Sequence, residues 1–322
     1  MISVIIPAFN SEKSLSKCLD SLDQQDYGKP FEIIVVDDGS SDDTVNVAKT
    51  FKKVKTIKQS HGGPAKARNT GAKIAKGNIV LFTDADCVAD KGWLSEMVKP
   101  FDNNDIVGVQ GRYKTKQKGI IPVFTQLEIE QRYANMKRAS YIDFVGSYSA
   151  AYRRSIFIRF SGFDESFPKA SGEDPELSFR MAREGHKMVF NPNAVVYHTH
   201  PTSLRKYLRT KYLRGYWGRL LYKKHPEKRS QGSGKGLGFF FGVSLTGMLI
   251  LLLLLSYTLE YAFFGEYYFS LIIFLLLVGI IINESLNFMI KDKRFIIAGP
   301  IIVFLRNVSI GLGIANSLIK VR

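Results

Sequence analysis

Residues 78–86 read Asn78-Ile-Val-Leu-Phe-Thr-Asp84-Ala-Asp86, an apolar run that leads directly into two carboxylates. The run is typical of a β-strand, in which side chains two apart point the same way, so Asp84 and Asp86 face one side. An open α/β sheet binds ligands at the carboxyl ends of its strands. The pair therefore indicates a site for Mg²⁺ or Mn²⁺, which completes its shell with water and substrate phosphates. Alone this signal is weak, because aspartate also favours turns after strands.

Short apolar runs alternate with amphipathic stretches on both sides of this segment, over roughly residues 1–110. Strands alternating with helices of about ten to fifteen residues predict an α/β fold with a mostly parallel, doubly wound sheet. We predict strands at 2–6, 31–36, 54–58, 78–83 and 106–110, and helices near 11–25, 42–52, 64–76 and 122–139. A later helix is predicted to begin with Asp174 as its N-cap and Pro175 at its first position, and to end at Gly185.

Positive charge is unevenly distributed in this chain of 322 residues with a net charge of +16. Between Ser203 and Lys235 there are eleven Lys and Arg residues against a single acid, Glu227. A run of this kind is compatible with nucleic acid, but it stands immediately before an apolar block. A flank on the cytosolic side of a membrane is the better interpretation, so we expect a membrane partner and no nucleic acid.

The C-terminal part is dominated by apolar blocks. We predict membrane spans near 237–258 and 267–290, followed by a third apolar or amphipathic segment at 295–319. The basic residues of 291–294 indicate the cytosolic side for that loop. The predicted organisation is a catalytic domain at 1–220, including a basic interfacial helix at 203–224, a basic and Gly/Ser hinge at 221–236, and a membrane domain at 237–322.

The N-terminus and the cysteines both point to the cytosol. Met1–Pro7 lacks the basic region of a signal peptide and is typical of a first strand. Cys18 and Cys87 have neither metal-site nor redox spacing, and two cysteines provide no disulfide framework. We therefore expect a multi-pass protein of the cell membrane with its catalytic domain on the cytoplasmic side.

Three further clusters would suit a nucleotide diphosphate. Pro7 and Phe9 follow the first strand and could form a flat wall for a base, although an ordinary strand–turn–helix explains them equally. Asp38 ends the second strand, where it could accept a ring N–H, or it could serve the turn alone. Arg68 lies in the first turns of a helix that a glycine turn opens, which suits a diphosphate, although a solvated basic face is the alternative.

A fourth cluster, Gly172-Glu173-Asp174-Pro175, combines acids with a helix start. Asp174 has a structural role available as the helix N-cap. The helix dipole would also keep its carboxylate ionised near neutral pH, as a general base requires.

Six short motifs together resemble family 2 glycosyltransferases of the GT-A fold. They are Pro7-Ala-Phe-Asn10, Val35-Val-Asp-Asp-Gly-Ser40, Ala67-Arg-Asn-Thr-Gly71, Asp84-Ala-Asp86, Gly162-Phe-Asp-Glu165 and Gly172-Glu-Asp174. The resemblance covers roughly residues 1–220 and implies a Rossmann-like sheet with flanking helices. Members with C-terminal membrane spans are common, and many act on lipid-linked acceptors.

The resemblance also implies roles for individual residues. Pro7, Phe9 and Asp38 would border the nucleobase of a nucleotide-diphosphate sugar. Asp84 would face the donor ribose or sugar, while Arg68 and Glu173 would assist substrate binding. Asp174 would be the base that deprotonates the acceptor. Asp86 would ligate Mg²⁺ or Mn²⁺ together with His198, for which His200 is the alternate.

Departures from the family pattern narrow the expected activity. Processive polysaccharide synthases of the family carry Gln-x-x-Arg-Trp, whereas this chain reads Arg214-Gly-Tyr-Trp217. We therefore expect inverting transfer of one sugar to a polyprenyl- or dolichyl-type lipid-linked acceptor. The alternatives are a processive synthase and a non-catalytic nucleotide-binding membrane protein of the same fold.

Overall fold

A computed structural model describes residues 1–167, 172–228, 237–263 and 267–320. Its strands are β1 (Ile2–Ala8), β2 (Phe31–Asp37), β3 (Val54–Lys58), β4 (Ile79–Thr83), β5 (Cys87–Ala89), β6 (Ile106–Lys114), β7 (Ser149–Arg153) and β8 (Lys187–His198). These eight strands form one sheet in the order β3-β2-β1-β4-β7-β6-β8-β5.

Eleven α-helices accompany the sheet in the described part of the chain. They are α1 (Leu15–Asp23), α2 (Thr44–Lys49), α3 (Pro64–Ile74), α4 (Trp93–Val98), α5 (Ile120–Arg138), α6 (Arg154–Arg159), α7 (Glu173–Arg183), α8 (Leu204–Lys224), α9 (Leu237–Phe263), α10 (Tyr268–Lys291) and α11 (Phe295–Lys320). A short 3₁₀ helix, Lys99–Asp102, follows α4.

The chain folds into two compact units. The first consists of Met1–Lys118 and Glu128–His200, and the second of Gly119–Leu127 and Pro201–Arg322. The predicted Gly/Ser part of the hinge, 230–236, lies outside the described residues.

One half of the sheet is parallel, as the alternation of strands and helices predicted. β1 pairs in parallel with β2 and β4, and β2 pairs in parallel with β3. These strands are nearly continuous apolar runs because helices cover both faces of a parallel sheet. Their carboxyl ends meet at one edge, which brings the residues that follow β1, β2 and β4 close together.

The other half of the sheet contains antiparallel strands that the sequence did not predict. β7 pairs antiparallel with β4 and β6, and β5 pairs antiparallel with β8. The sequence of β7, Ser-Ala-Ala-Tyr-Arg, is poor in β-branched residues, so its strand signal is weak. β5 has only three residues and is shorter than a recognisable pattern.

The start of α7 differs from the prediction. Its N-cap is Gly172, and Asp174 lies inside the first turn together with Glu173 and Glu176. Asp174 is therefore wrong as an N-cap, and its side chain is available for other contacts. The predicted end is confirmed, because Gly185 follows the helix with a φ of 79°, which suits glycine.

In the second unit, α8 packs closely on α11. A Cβ added to Gly215 would lie 2.3 Å from the backbone oxygen of Ile310, and one added to Gly313 would lie 2.1 Å from that of Tyr212. The two glycines thus allow the helix backbones to approach each other. α8 consequently buries Tyr207, Lys211, Gly215 and Leu221 along one side.

Two of the C-terminal helices, over Tyr268–Lys291 and Phe295–Ile319, are long and apolar enough to cross a membrane. The second of them is the segment at 295–319, for which the sequence alone did not decide between a membrane span and an amphipathic helix on the membrane surface. The described side chains of α9 include a shorter apolar stretch at Leu245–Tyr261.

A buried polar network links these apolar helices. Arg306 of α11 donates to Glu284 of α10 at 2.6 Å, and Asn307 donates both to Glu284 at 3.1 Å and to Thr246 of α9 at 3.2 Å. Oε1 of Glu284 is buried and has no hydrogen-bond partner. Ionisable groups in such apolar surroundings are stable only when they are paired.

Candidate active site

The two carboxylates that follow β4 lie in a tight turn before β5. The backbone N–H of Cys87 donates to the carbonyl of Asp84 at 3.0 Å, which closes the turn. Ligand atoms of Asp84, Asp86 and Cys87 all lie within 4.8 Å of one another. The Asp86 side chain is 46% exposed, so its carboxylate is open to a ligand.

His198 reaches this turn because β8 pairs with β5 in a register that sets Cys87 opposite His198. His198 Nε2 lies 3.2 Å from Asp86 Oδ2. Burial raises the pKa of Asp86, but the hydrogen bond and charge of His198 outweigh it, so the pKa of Asp86 is lowered. Likewise, burial lowers the pKa of His198, but contact with Asp86 leaves it raised.

The alternate histidine lies behind His198. His200 is 3% exposed, and its Nδ1 is 3.2 Å from Nδ1 of His198. Its backbone N–H donates to Gln117 at 2.7 Å. Nε2 of His198, rather than the His200 ring, therefore faces Asp86.

The donor set at this turn fits a hard divalent cation. Both oxygens of Asp84 are already engaged, one by Arg68 at 2.8 Å and the other by the Tyr113 hydroxyl at 3.3 Å. Burial raises the pKa of the Cys87 thiol well above its usual range, so Cys87 stays protonated and is a poor ligand. Asp86 and His198 are the groups that would hold Mg²⁺ or Mn²⁺, with Asp84 beside them.

Arg68 connects this turn to α7. Its guanidinium donates to Asp84 at 2.8 Å and to Glu173 at 3.2 Å, and only 2% of the residue is exposed. Burial lowers the pKa of Arg68, but the negative charges of Asp84, Asp174 and Glu173 raise it by more. The pKa of Arg68 is therefore raised overall, and the residue stays charged. The alternative of a solvated basic face does not describe Arg68.

Asp174 lies next to this network with an unusual environment. Its Oδ1 is buried and has no hydrogen-bond partner. Burial, followed by the charge of Glu173, raises the pKa of Asp174 to about 7, although Arg68 and hydrogen bonds from Ser147 act in the opposite direction. The expectation that the helix dipole keeps Asp174 ionised near neutral pH is therefore wrong, because burial outweighs it. A carboxylate with this pKa exchanges a proton readily at neutral pH, which a general base must do.

An aromatic stack supports the turn that carries Asp84 and Asp86, and the sequence did not reveal it. The ring of Tyr113 stacks on Tyr148 with centroids 3.7 Å apart and on His198 at 4.7 Å. Because its hydroxyl also reaches Asp84, Tyr113 fixes two of the groups around the turn. Tyr113 is the last buried residue of β6, and only the sheet order brings it here, so a local sequence pattern could not have identified it.

The three residues expected to border a nucleobase form a separate group at the ends of β1 and β2. Phe9 is 46% exposed and its ring lies 4.4 Å from that of His61. Pro7 is half-buried within β1, next to Val36 of β2. The half-exposed Phe9 ring and the His61 ring are the flat surfaces of this group.

Asp38 lies in this group but is engaged by the protein itself. Its carboxylate accepts hydrogen bonds from the backbone N–H groups of Gly62 and Gly63 at 2.9 and 2.8 Å, and from Gln59 at 2.7 Å. Only 3% of the residue is exposed. In this structure Asp38 therefore holds the loop before α3, which carries Arg68.

The expected site residues thus fall into two groups. Ion pairs join Arg68 to Asp84 and Glu173, and Asp86 to His198 in the same turn as Asp84. Asp174 lies near enough for the charges of Glu173 and Arg68 to shift its pKa. Pro7, Phe9 and Asp38 lie at the neighbouring strand ends of the same sheet edge.

Comparison with known proteins agrees with this arrangement. Residues 3–160 match the family model Glycosyl transferase family 2. The pre-mycofactocin glycosyltransferase of Mycobacterium tuberculosis is 31% identical over 239 aligned positions, covering 70% of this chain and 48% of that protein. The chain thus spans about half the length of this relative.

A relative from Methanococcus voltae matches over almost its whole length. It is named dolichyl N-acetyl-alpha-D-glucosaminyl phosphate 3-beta-D-2,3-diacetamido-2,3-dideoxy-beta-D-glucuronosyltransferase. The two sequences are 25% identical over 346 aligned positions, covering 99% of this chain and 97% of the relative.

A solved structure is similar in fold. The mannosyltransferase PcManGT from Pyrobaculum calidifontis, in complex with GDP-Man and Mn²⁺, superposes with a TM-score of 0.56 and 23% identity, covering 70% of this chain and 64% of that one. Three observations agree: the order and pairing of the strands around β1, β2 and β4, the match to the family model, and the structural similarity to PcManGT. The chain belongs to glycosyl transferase family 2 and has the GT-A fold, followed by C-terminal apolar helices.

Proposed function

We propose that this protein is an inverting, metal-dependent hexosyltransferase. It transfers one sugar from a nucleotide-diphosphate donor to a lipid-linked acceptor of the polyprenyl or dolichyl type. The proposed roles are Asp174 as base, Asp86 and His198 as metal ligands, and Arg68, Asp84 and Glu173 as donor-side groups, with Pro7, Phe9 and Asp38 at the nucleobase end.

The environment of Asp174 carries this proposal. Its Oδ1 is buried without a partner, and its pKa is raised to about 7. Leaving a buried acceptor unpaired is costly, and in Asp174 the unpaired oxygen belongs to a carboxyl group whose pKa lies near neutrality. An acceptor hydroxyl is the hydrogen-bond donor that Oδ1 lacks.

The proposed transfer is a single displacement. The acceptor hydroxyl oxygen forms a bond to the anomeric carbon, and its proton passes to Asp174. The bond from that carbon to the donor diphosphate breaks on the opposite face, and its electron pair leaves with the nucleoside diphosphate. A divalent cation, when bound, neutralises the charge that develops on this leaving group.

Within the network, Arg68 offsets part of the negative charge around the donor position. Arg68 is a fixed cation between Asp84 and Glu173, which holds Asp84 in place beside Asp86. Such preorganised groups stabilise developing charge without rearranging during the reaction. The solved PcManGT complex with GDP-Man and Mn²⁺ supports a nucleotide sugar and a cation for this fold.

Membrane attachment and a lipid acceptor are supported by the C-terminal unit. Two helices there are long and apolar enough to span a bilayer, and α8 exposes basic residues at 205, 206 and 209. The name of the Methanococcus voltae relative describes a dolichyl-linked acceptor. We infer a protein of the cell membrane that works at the cytoplasmic surface, where the basic residues of 291–294 also belong.

A donor screen tests the proposal directly. Purified full-length protein would be incubated with UDP- and GDP-sugars and Mn²⁺, with and without a polyprenyl phosphate or its sugar-linked form. We expect release of nucleoside diphosphate that depends on the lipid, with a product that carries one added sugar. A ladder of products would instead indicate a processive synthase, and failure to bind any nucleotide would contradict the proposal.

A further inference from the structure

Arg132 of α5 lies in the first unit, and the proposed reaction gives it no role. Its guanidinium donates to the Tyr148 hydroxyl at 3.3 Å, and its central carbon lies 4.8 Å above the ring of Phe144. Nε of Arg132 is buried and has no hydrogen-bond partner. An arginine is always charged, so this position holds a cation among aromatic rings.

Several arginines in the described part of the chain pair with an acid. Arg68 pairs with Asp84, Arg112 pairs with Glu130 at 2.6 Å, and Arg306 pairs with Glu284 at 2.6 Å. For Arg132, burial lowers the pKa, and the groups that raise it are the phenols of Tyr148 and Tyr133. Arg132 is half-buried, its Nε is fully buried, and no acid among the described residues pairs with it. Such a cation is costly, which favours an anion supplied from outside the protein.

The position of Arg132 relates it to the acceptor rather than to the donor. Ser147 lies close enough to the Asp174 carboxylate to lower its pKa, and the next residue, Tyr148, accepts from Arg132. The Cα atoms of Ser147 and Tyr148 are about 3.8 Å apart, so one short segment lies beside both Asp174 and Arg132. Towards the donor side, the stacked rings of Tyr148 and Tyr113 stand between Arg132 and Asp84.

We propose that Arg132 binds a phosphate group of the lipid-linked acceptor, an inference that rests on the proposed transfer at Asp174. The guanidinium offers a fork of donors that matches phosphate oxygens, and Tyr148 holds that fork in place. Phosphate bound at Arg132 positions the acceptor so that its hydroxyl reaches Asp174. The same residue selects phosphorylated lipids over neutral ones.

A binding comparison that differs only in the phosphate tests this role. The full chain in phosphatidylcholine nanodiscs would be titrated with farnesyl phosphate and with farnesol. We expect wild-type protein to bind farnesyl phosphate at least about tenfold more tightly, as one charge-assisted hydrogen-bonded pair can provide. Arg132→Gln should abolish this preference, and Arg132→Lys should keep part of it.

A matched control separates a specific site from general surface charge. Arg138→Gln removes the same charge from an exposed position on the same helix and should leave the preference unchanged. Tyr148→Phe keeps the ring and removes the hydroxyl that holds Arg132, so it should weaken the preference severalfold. Retention of the preference in Arg132→Gln, or an equal loss in Arg138→Gln, would overturn the proposal.

Nucleotide binding distinguishes this inference from the proposed function. UDP and GDP affinities in the presence of Mn²⁺ should be the same for wild type and all four variants. A loss in Arg132→Gln would place the residue on the donor side or in folding and would overturn the inference. If wild-type protein binds neither nucleotide, the proposed function fails, while the lipid comparison still decides the role of Arg132.

Discussion

At the scale of single residues, Asp174 links a structural anomaly to a chemical role. Its pKa is raised to about 7 by burial and by the charge of Glu173. Below this pH the carboxylate is protonated and unable to accept a proton. We therefore expect kcat to rise with pH, with a slope approaching one decade per pH unit below about 7, and to level above it. A pH profile of single-turnover rates would measure this.

Removing the Asp174 carboxylate should separate turnover from binding. Asp174→Asn keeps the shape of the side chain but cannot take a proton, so transfer should fall by about 10²- to 10⁴-fold. Donor affinity, measured by calorimetry, should stay within about twofold. Asp20→Asn makes the same chemical change on the exposed side of α1 and should be neutral. Loss of donor binding in Asp174→Asn would instead assign the residue a structural role.

Metal binding provides a second test at this scale. Asp86 is exposed beside His198, whereas Cys87 is buried and protonated. Asp86→Asn should weaken Mn²⁺ binding in the presence of nucleotide by about tenfold or more, since it removes an anionic ligand. Electron paramagnetic resonance of free Mn²⁺ measures this without turnover.

Cys87→Ser is the matched control for that measurement. This change replaces the thiol sulfur next to Asp86 with a hydroxyl oxygen and should leave the Mn²⁺ affinity unchanged. Weaker binding in Cys87→Ser, together with normal binding in Asp86→Asn, would contradict the assigned ligand set.

Sequence patterns identified those site residues that local chemistry marks. Asp84 and Asp86 follow β4, and His198 ends β8, so their places at strand ends marked them in the sequence. The two acids lie in a turn, however, and not on the strand whose alternation suggested that they face one way. Tyr113, Tyr148 and Arg132 carry no such mark, because β6, the segment before β7 and α5 meet only in the folded sheet. Asp38 was found as a site residue, but its engagement by Gly62 and Gly63 depends on a loop geometry that sequence does not specify.

At the scale of helices and strands, predictability followed the strength of the local signal. The parallel strands β1, β2 and β4 were predicted because apolar runs bounded by turns are distinctive. β7 was missed because two of its four buried residues, Ala150 and Ala151, are small, so its identity as a strand depends on its neighbours. The helix start at α7 was placed two residues late, because Asp174 resembles an N-cap while Gly172 occupies that position.

The close crossing of α8 and α11 makes a prediction for this pair of helices. At Gly313 an added Cβ would lie 2.1 Å from the Tyr212 oxygen, whereas at Gly311 it would meet nothing within 4 Å. Gly313→Ala should therefore destabilise the protein by about 1–3 kcal/mol through overpacking. Gly311→Ala, on the same helix, should be neutral or stabilising by up to about 1 kcal/mol. Thermal unfolding in detergent compares the two, and equal effects would contradict the crossing.

The polar network between α10 and α11 gives a second prediction at this scale. Arg306 is 4% exposed and pairs with Glu284. Glu284→Leu removes the carboxylate that pairs with this buried cation, so it should cost about 3–5 kcal/mol. Adding Arg306→Leu should recover much of that loss, since the pair is then replaced by apolar groups. A double-mutant cycle measures the coupling, and strict additivity would show that the pair does not interact.

At the scale of the whole molecule, the apolar helices determine on which side of the membrane each connecting segment of the chain lies. α10 has 24 residues, which at 1.5 Å per residue gives a length of about 36 Å, against about 30 Å of hydrocarbon. Its two ends, near Tyr267 and Lys293, should therefore lie on opposite sides of the bilayer. The basic loop at 291–294 indicates which side is cytosolic.

Cysteine labelling would decide this topology. Cys18 and Cys87 are buried, so the native background is low. In right-side-out vesicles, an impermeant maleimide should label Tyr267→Cys directly, but Lys293→Cys only after the membrane is opened. Lys53→Cys, at an exposed position of the catalytic unit, should behave like Lys293→Cys if the sugar donor is used on the cytosolic side. Labelling of Tyr267→Cys from the same side as Lys293→Cys would show that α10 does not cross, because a helix that spans the bilayer cannot expose both ends to one compartment.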